Sequence, residues 1–216
     1  MGSGYRTALC ALATVASAGQ ASAVEPRQEQ RPGTFLMAEV HLGYGLGGAF
    51  AESPDGIASG ITFGAGGKPR GWPLRFFGIA RFGWASLEGE VDSGLERSVI
   101  ERDIFDWSFG LRVIAPITNR FRFLADTTIG GTRVDSSAVL GGGAERIDSS
   151  DGSFLVEIGL GLQYRLHYNF SIGARMDIAI PTGLEVFDAL AETAGASSDD
   201  AGMANLDWAL SATLHF

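Results

Sequence analysis

The sequence closes on LDWALSATLHF (Leu206–Phe216), in which Leu206, Trp208, Leu210, Ala212, Leu214 and Phe216 alternate with Asp207, Ala209, Ser211, Thr213 and His215. A period of two puts the first set on one face of a strand and the second on the other. Chain ends usually fray, so an apolar strand that runs to a bare aromatic requires a surface that accepts it.

The same alternation recurs upstream. Eight segments carry it: 35–45, 57–66, 74–86, 104–115, 121–131, 153–165, 170–180 and 206–216. Each has about the 9 to 11 residues, or slightly more, that a tilted strand needs to cross a bilayer. In 104–115, Phe105, Trp107, Phe109, Leu111 and Val113 oppose Asp106, Ser108, Gly110 and Arg112. In 121–131, Phe121, Phe123, Ala125 and Ile129 oppose Arg122, Leu124, Asp126 and Thr128. Glu157 and Arg165 share one face of the sixth segment, Arg175 and Asp177 one face of the seventh, and Arg75 and Arg81 one face of the third, where Phe77 and Ile79 join them. Glu39 and His41 oppose Leu36, Val40, Leu42 and Tyr44 in the first.

Wherever a segment carries two charges, both lie on one face. The charged face holds glycine, serine and few charges, too sparse for a solvated surface but suited to a narrow interior. A β-sandwich or a lipocalin-like barrel would show the opposite arrangement, apolar inside and densely polar outside. The fold class predicted is therefore all-β: an eight-stranded antiparallel up-and-down transmembrane barrel spanning 35–216, with lipid outside and charge inside.

The connections agree. GGKPRGWP, PITNR and LHYN are short; SLEGEVDSGLERSVIERD and TGLEVFDALAETAGASSDDAGMAN are long. Short periplasmic turns alternating with long extracellular loops is the outer-membrane pattern. On that orientation Tyr44, Trp84, Phe105, Trp107, Phe154 and Trp208 form an outer aromatic girdle, and Phe76, Phe121, Phe123, Tyr164, Phe170 and Phe216 an inner one.

At the amino end, Arg6, an apolar stretch from Ala8 to Ala18 and Ala21-Ser22-Ala23 occur in the order of a secretory signal peptide, assigned to 1–23 with a second cleavage position after Ala18. Residues 24–34 would then be a short periplasmic segment. The single cysteine, Cys10, falls in the leader, which removes disulfide and thiol chemistry from the mature chain. Losing Arg6 leaves 15 basic against 25 acidic residues, a balance that excludes nucleic acid as a partner.

This pattern resembles the small eight-stranded outer-membrane barrels of Gram-negative bacteria, the OmpA-type membrane domain and the OmpX-like and opacity-like proteins. The resemblance covers Phe35 to Phe216 and rests on pattern, not on a diagnostic motif. It implies that Trp208, Leu214 and Phe216 form the carboxy-terminal signal read by the barrel-assembly machinery. It also implies outer-membrane lipid and lipopolysaccharide as surroundings, and a monomer. Some barrels of this size resemble enzymes that modify lipid A acyl chains with a histidine and a serine near the outer leaflet. His41 is mid-strand here, and His167 and His215 lie at the periplasmic end, so no catalytic residue is assigned.

No cofactor or metal site is expected either. Gly43-Tyr44-Gly45-Leu46-Gly47-Gly48 fits G-x-G-x-x-G, but a turn follows where a dinucleotide site needs a helix. Twelve lumen charges remain: Glu39, Asp106, Asp126, Glu157, Asp177 and Asp207 against Arg75, Arg81, Arg112, Arg122, Arg165 and Arg175. Buried charges must be paired or they cost several kcal/mol each, so equal numbers predict a plug; the alternative is a narrow channel for small solutes. The PITNR turn predicts Pro116 opposite Arg120, which makes Arg112 and Asp126 diagonal neighbours able to form an ion pair. The acidic connections, with Asp135, Glu145, Asp148, Asp151, Glu185, Asp188, Glu192, Asp199 and Asp200, read as solvated loops or as holders of divalent cations shared with lipopolysaccharide. LEVFDALAE predicts a short helix on the outer face.

Overall fold

The computed structural model describes residues 34–47, 55–92, 97–140, 145–182 and 205–216. Residues 1–33 (which include the expected signal peptide), the LEVFDALAE segment and Glu185, Asp188, Glu192, Asp199 and Asp200 lie outside them. Eight strands occupy Thr34–Gly47 (β1), Asp55–Gly67 (β2), Arg75–Asp92 (β3), Arg97–Pro116 (β4), Phe121–Leu140 (β5), Glu145–His167 (β6), Phe170–Thr182 (β7) and Asn205–His215 (β8). Each pairs antiparallel with the next, and β8 pairs with β1, closing the barrel. Phe216 completes the closure: its N–H donates to Leu36 O at 2.9 Å and its carbonyl accepts from Leu36 N–H at 3.2 Å. Within the spanning region closure gives each strand a partner on both sides, which a bilayer interior demands.

Across the bilayer the faces are inverted relative to a soluble protein. Phe63, Phe109, Leu111, Ile129, Leu160, Leu162 and Leu210 are exposed, while Arg112, Glu39, Arg175 and Asp177 are buried. An exposed apolar belt around a charged interior is stable only in lipid.

Four strands run past that belt. β3 to β6 are 18 to 23 residues long, β1, β2, β7 and β8 only 11 to 14. Most of SLEGEVDSGLERSVIERD is thus strand, not loop. In these extensions polarity reverses: Leu87, Ile104 and Val134 are buried inside, while Glu88, Glu101, Asp103, Arg133 and Asp135 are exposed outside. Water now bathes the outer face, so apolar groups turn inward. The switch lies beside the Trp84–Phe105 ring pair, whose centroids are 5.6 Å apart. The sequence segments end where the bilayer ends, because a rule that seeks outward apolar residues loses a strand once its outer face becomes polar. Asp135, Glu145, Asp148 and Asp151 accordingly stand in strands β5 and β6, not in loops.

At the opposite end the turns are tight. Trp72 N–H donates to Pro69 O with Gly71 at φ 82°, the left-handed residue a type II turn requires. In the β4–β5 turn, Thr118 Oγ1 accepts from the N–H groups of Arg120 and Phe121. That capped turn occupies Ile117–Arg120 and pairs Pro116 with Arg122, not Arg120. The register therefore sets Arg112 directly opposite Asp126, where the sequence reading has them diagonal. The Gly43–Gly48 motif begins inside β1, with no helix opening after it among the described residues, and Gly48 lies outside them.

Candidate functional site: a layered lumen

The inward faces stack in layers. The middle one is ionic: Arg81 from β3, Arg112 from β4 and Arg175 from β7 meet Glu39, Asp126, Glu157 and Asp177 from β1, β5, β6 and β7. All seven are buried.

Arg112 forks twice. Its Nε and Nη2 donate to Asp126 at 2.8 and 2.7 Å, and its Nη1 and Nη2 to Glu39 at 3.0 and 2.9 Å. Bidentate charge-assisted bonds are the strongest a guanidinium makes, and the planar fork suits it where a lysine would not serve. Arg175 grips Asp177 at 2.7 and 2.6 Å, and reaches Glu39 at 2.7 Å and Asp126 at 3.0 Å. Arg81 is held more loosely, by Glu157 at 3.1 Å, Asp177 at 3.2 Å and Asp126 at 3.4 Å. Neutral partners fill the remaining lone pairs: Thr128 and Ser108 donate to Glu157, and Thr213 donates to Glu39 while accepting from Gln163. A methyl group at Gly159 would collide with the Asp177 carboxylate, so the close seating of the Arg175–Asp177 pair depends on that glycine.

Apolar layers bound the ions on both sides. Met37, Phe77, Ile79, Ile114 and Leu124 pack together on the periplasmic side. Leu87, Ile104 and Val134 do so on the extracellular side. Phe77 and Ile79, the two apolar residues on the charged face of the third sequence segment, belong to the first of these layers.

The twelve charges named from the sequence separate into three groups. Seven form the central layer. Asp106 and Asp207 lie half-buried on the extracellular side of it; Asp207 stands opposite Asp177, and Asp106 opposite Thr132. Arg75, Arg122 and Arg165 gather below the periplasmic apolar layer, with Arg75 over the Phe35 ring at 5.1 Å and Arg165 donating to the carbonyls of His167 and Tyr168. Equal numbers of the two signs are thus spread over different heights of the barrel. The sequence reading missed Thr213, Gln163, Ser108 and Thr128, although all have the inward parity; a neutral side chain gives no sign that it accepts or donates to a charge.

Of the residues expected to form an assembly signal, Trp208 and Phe216 are exposed on the outward face and Leu214 is partly covered. Of the histidines, His41 faces the lumen above Glu39 and opposite Ser211, while His215 Nε2 lies 3.1 Å from the Ser171 hydroxyl. On the outer face of the extensions, Glu88 is directly opposite Glu101 and Asp103 opposite Asp135. The Ser150 hydroxyl, and after it the Arg133 guanidinium 3.2 Å away, holds the Asp135 carboxyl below the ordinary carboxylate range. Among the described residues no three His, Cys, Asp or Glu side chains converge to hold a metal ion.

Solved structures with this architecture include Neisserial surface protein A, with a TM-score of 0.50 and 12% identity over 85% of this chain and 97% of that one. Its fold is that of the small outer-membrane β-barrels. The attachment invasion locus protein Ail of Yersinia pestis is similar at a TM-score of 0.47 and 14% identity, covering 86% of this chain and 100% of that one. The outer membrane enzyme PagL is also similar, at a TM-score of 0.39 and 16% identity over 82% and 97%. No protein-family model matches the chain, and no curated protein is similar to it at a significant level. A fold alone does not fix a role, so the site must supply the function.

Proposed function

We propose that this barrel is a non-enzymatic, closed outer-membrane protein that contributes to envelope structure or surface interaction through its protruding acidic sheet. The observation that carries the proposal is the doubly forked Arg112, fully buried between Asp126 and Glu39, with an apolar layer on each side of it. An ion crossing the lumen would have to break charge-assisted bonds spanning six of the eight strands. An eight-stranded barrel is just wide enough for side chains to fill, and here they do.

The surface role rests on the extensions. Exposed Glu88, Glu101, Asp103, Asp135 and Asp148 stand above the aromatic girdle, with like charges opposed across strands. Opposed like charges cost stability, and a cationic partner, or divalent cations shared with lipopolysaccharide phosphate, would relieve that cost. A hydrolytic reading gains no support from the Ser171–His215 pair, since Ser171 is fully buried and no substrate reaches its hydroxyl.

Single-channel recording in planar bilayers tests the closed lumen. The expected result is no conductance steps from the native protein; steady ohmic steps would reverse the proposal in favour of a narrow channel.

A further inference from the structure

The periplasmic end carries a charge pattern that the closed lumen does not use. Its described residues, 66–75, 116–123, 164–170 and 214–216, include Lys68, Arg70, Arg75, Arg120, Arg122 and Arg165 and not one Asp or Glu. The preceding segment 24–33 carries two acids and two arginines and so adds no net charge. Arg122 and Arg165 are buried inside the mouth. Lys68, Arg70 and Arg120 are not: they stand on the turns, Arg70 and Arg120 exposed.

Arg120 sits at the lipid-facing rim, and Lys68 and Arg70 stand on the β2–β3 turn at the same end of the barrel. Arg120 Nη1 donates to Tyr164 Oη at 2.9 Å, and the Tyr164 ring packs on Phe121 with centroids 4.9 Å apart. Both rings belong to the outward face, so the guanidinium is drawn over the lipid side of the wall. In the β2–β3 turn Lys68 and Arg70 shortly precede Trp72, which is exposed and packs edge-on to outward Phe76 at 5.7 Å. Exposed Ile117, Leu166 and Tyr168 continue the ring. Amphipathic aromatics settle at the headgroup level of a bilayer, which places the neighbouring cations among the headgroups as well. The two turns are separated by two strand spacings, about 10 Å, so they meet adjacent lipids.

We infer that Lys68, Arg70 and Arg120 form a collar that binds the phosphate headgroups of anionic phospholipids in the periplasmic leaflet. Cations at an anionic surface attract it strongly enough for a preference of about fivefold per well-placed residue, weakened by salt. The collar would hold the periplasmic rim at a set depth, while the acidic extensions stand clear of the opposite surface.

Trp72 is the tryptophan at this rim; Trp84, Trp107 and Trp208 lie at the other. The test reconstitutes the protein, purified from membranes, into phosphatidylcholine vesicles containing brominated phosphatidylglycerol or brominated phosphatidylcholine. Trp84, Trp107 and Trp208 are replaced by Phe so that quenching reports Trp72 alone. The expected result is a preference of at least about fivefold for the anionic lipid, the effect of one well-placed residue, falling to about one in Lys68→Gln/Arg70→Gln/Arg120→Gln. Equal quenching by both lipids, or a preference that survives the triple glutamine change, overturns the collar. Inorganic phosphate at constant ionic strength should leave the preference intact; displacement by it would assign the site to free phosphate and overturn the lipid. If the Phe variant does not insert, native mass spectrometry of the native and triple-glutamine proteins makes the same comparison: anionic lipid retained by the first and lost from the second supports the collar, and equal retention overturns it.

Discussion

Replacing Asp126 by Ala removes the carboxylate on which the three lumen guanidiniums converge. Asp126 accepts from Arg112 at 2.8 and 2.7 Å, from Arg175 at 3.0 Å and from Arg81 at 3.4 Å. Removing one partner of a buried ion pair typically costs on the order of 3 to 5 kcal/mol, because the other charge stays buried. Two features of this layer lower the figure. Arg112 keeps its second fork to Glu39, and the layer passes from four carboxylates against three guanidiniums to equal numbers. The loss should therefore fall near the bottom of that range, at about 3 kcal/mol. The sequence alone suggests that Arg112→Leu with Asp126→Leu is nearly neutral, as for an isolated pair. The structure changes that expectation: Glu39 also loses a fork, retaining Arg175 and Thr213, so the double variant should cost about 2 kcal/mol. Urea unfolding in vesicles measures both, with bilayer recording alongside. In a water-filled channel the pair would be screened and Asp126→Ala would lose less than about 1 kcal/mol. A near-neutral Asp126→Ala with altered conductance or ion selectivity refutes the plug.

Gly159→Ala should destabilise the barrel by about 1 to 3 kcal/mol, since the added methyl meets the Asp177 carboxylate that Arg175 holds; thermal or urea unfolding checks it. Asp207→Asn should stabilise by about 0.2 to 1 kcal/mol, because Asp207 stands opposite Asp177 in register; a measured loss of stability would show that Asp207 instead has a cationic partner. Phe216→Ala should slow assembly into the outer membrane while leaving the folded barrel's stability nearly unchanged, as the ring is largely exposed and the two backbone bonds to Leu36 remain. Deletion of Phe216 removes those bonds as well, so it should lower both; pulse-labelled assembly and urea unfolding separate the two effects.

The fold was legible in the sequence because the side-chain period of a strand is local. Phe105, Trp107 and Phe109 opposite Asp106, Ser108 and Arg112 declare two faces without reference to any other strand, and the short GGKPRGWP, PITNR and LHYN declare the turns. The inverted polarity likewise follows from composition: a face of glycine, serine and sparse charge cannot be a water-exposed surface. That reading also set its own limit at the membrane boundary. Beyond Trp84 and Phe105 the apolar face moves inside, so Ser86–Asp92 and Arg97–Asp103 looked like loop although they continue β3 and β4.

What only the tertiary structure decided is which inward residues meet. Parity says that Arg112, Asp126, Glu39 and Arg175 all face the lumen, but their bonds join strands up to 136 residues apart in sequence. Their relative heights depend on the register of every intervening pair and on barrel closure. A single turn shows the sensitivity: capping by Thr118 shifts Pro116 from Arg120 to Arg122, which brings Arg112 directly opposite Asp126. Height along the axis, invisible to a count of charges, likewise sets Arg75, Arg122 and Arg165 below the periplasmic apolar layer and apart from the central ionic layer. Facing is a property of one strand, and partnership is a property of the closed sheet.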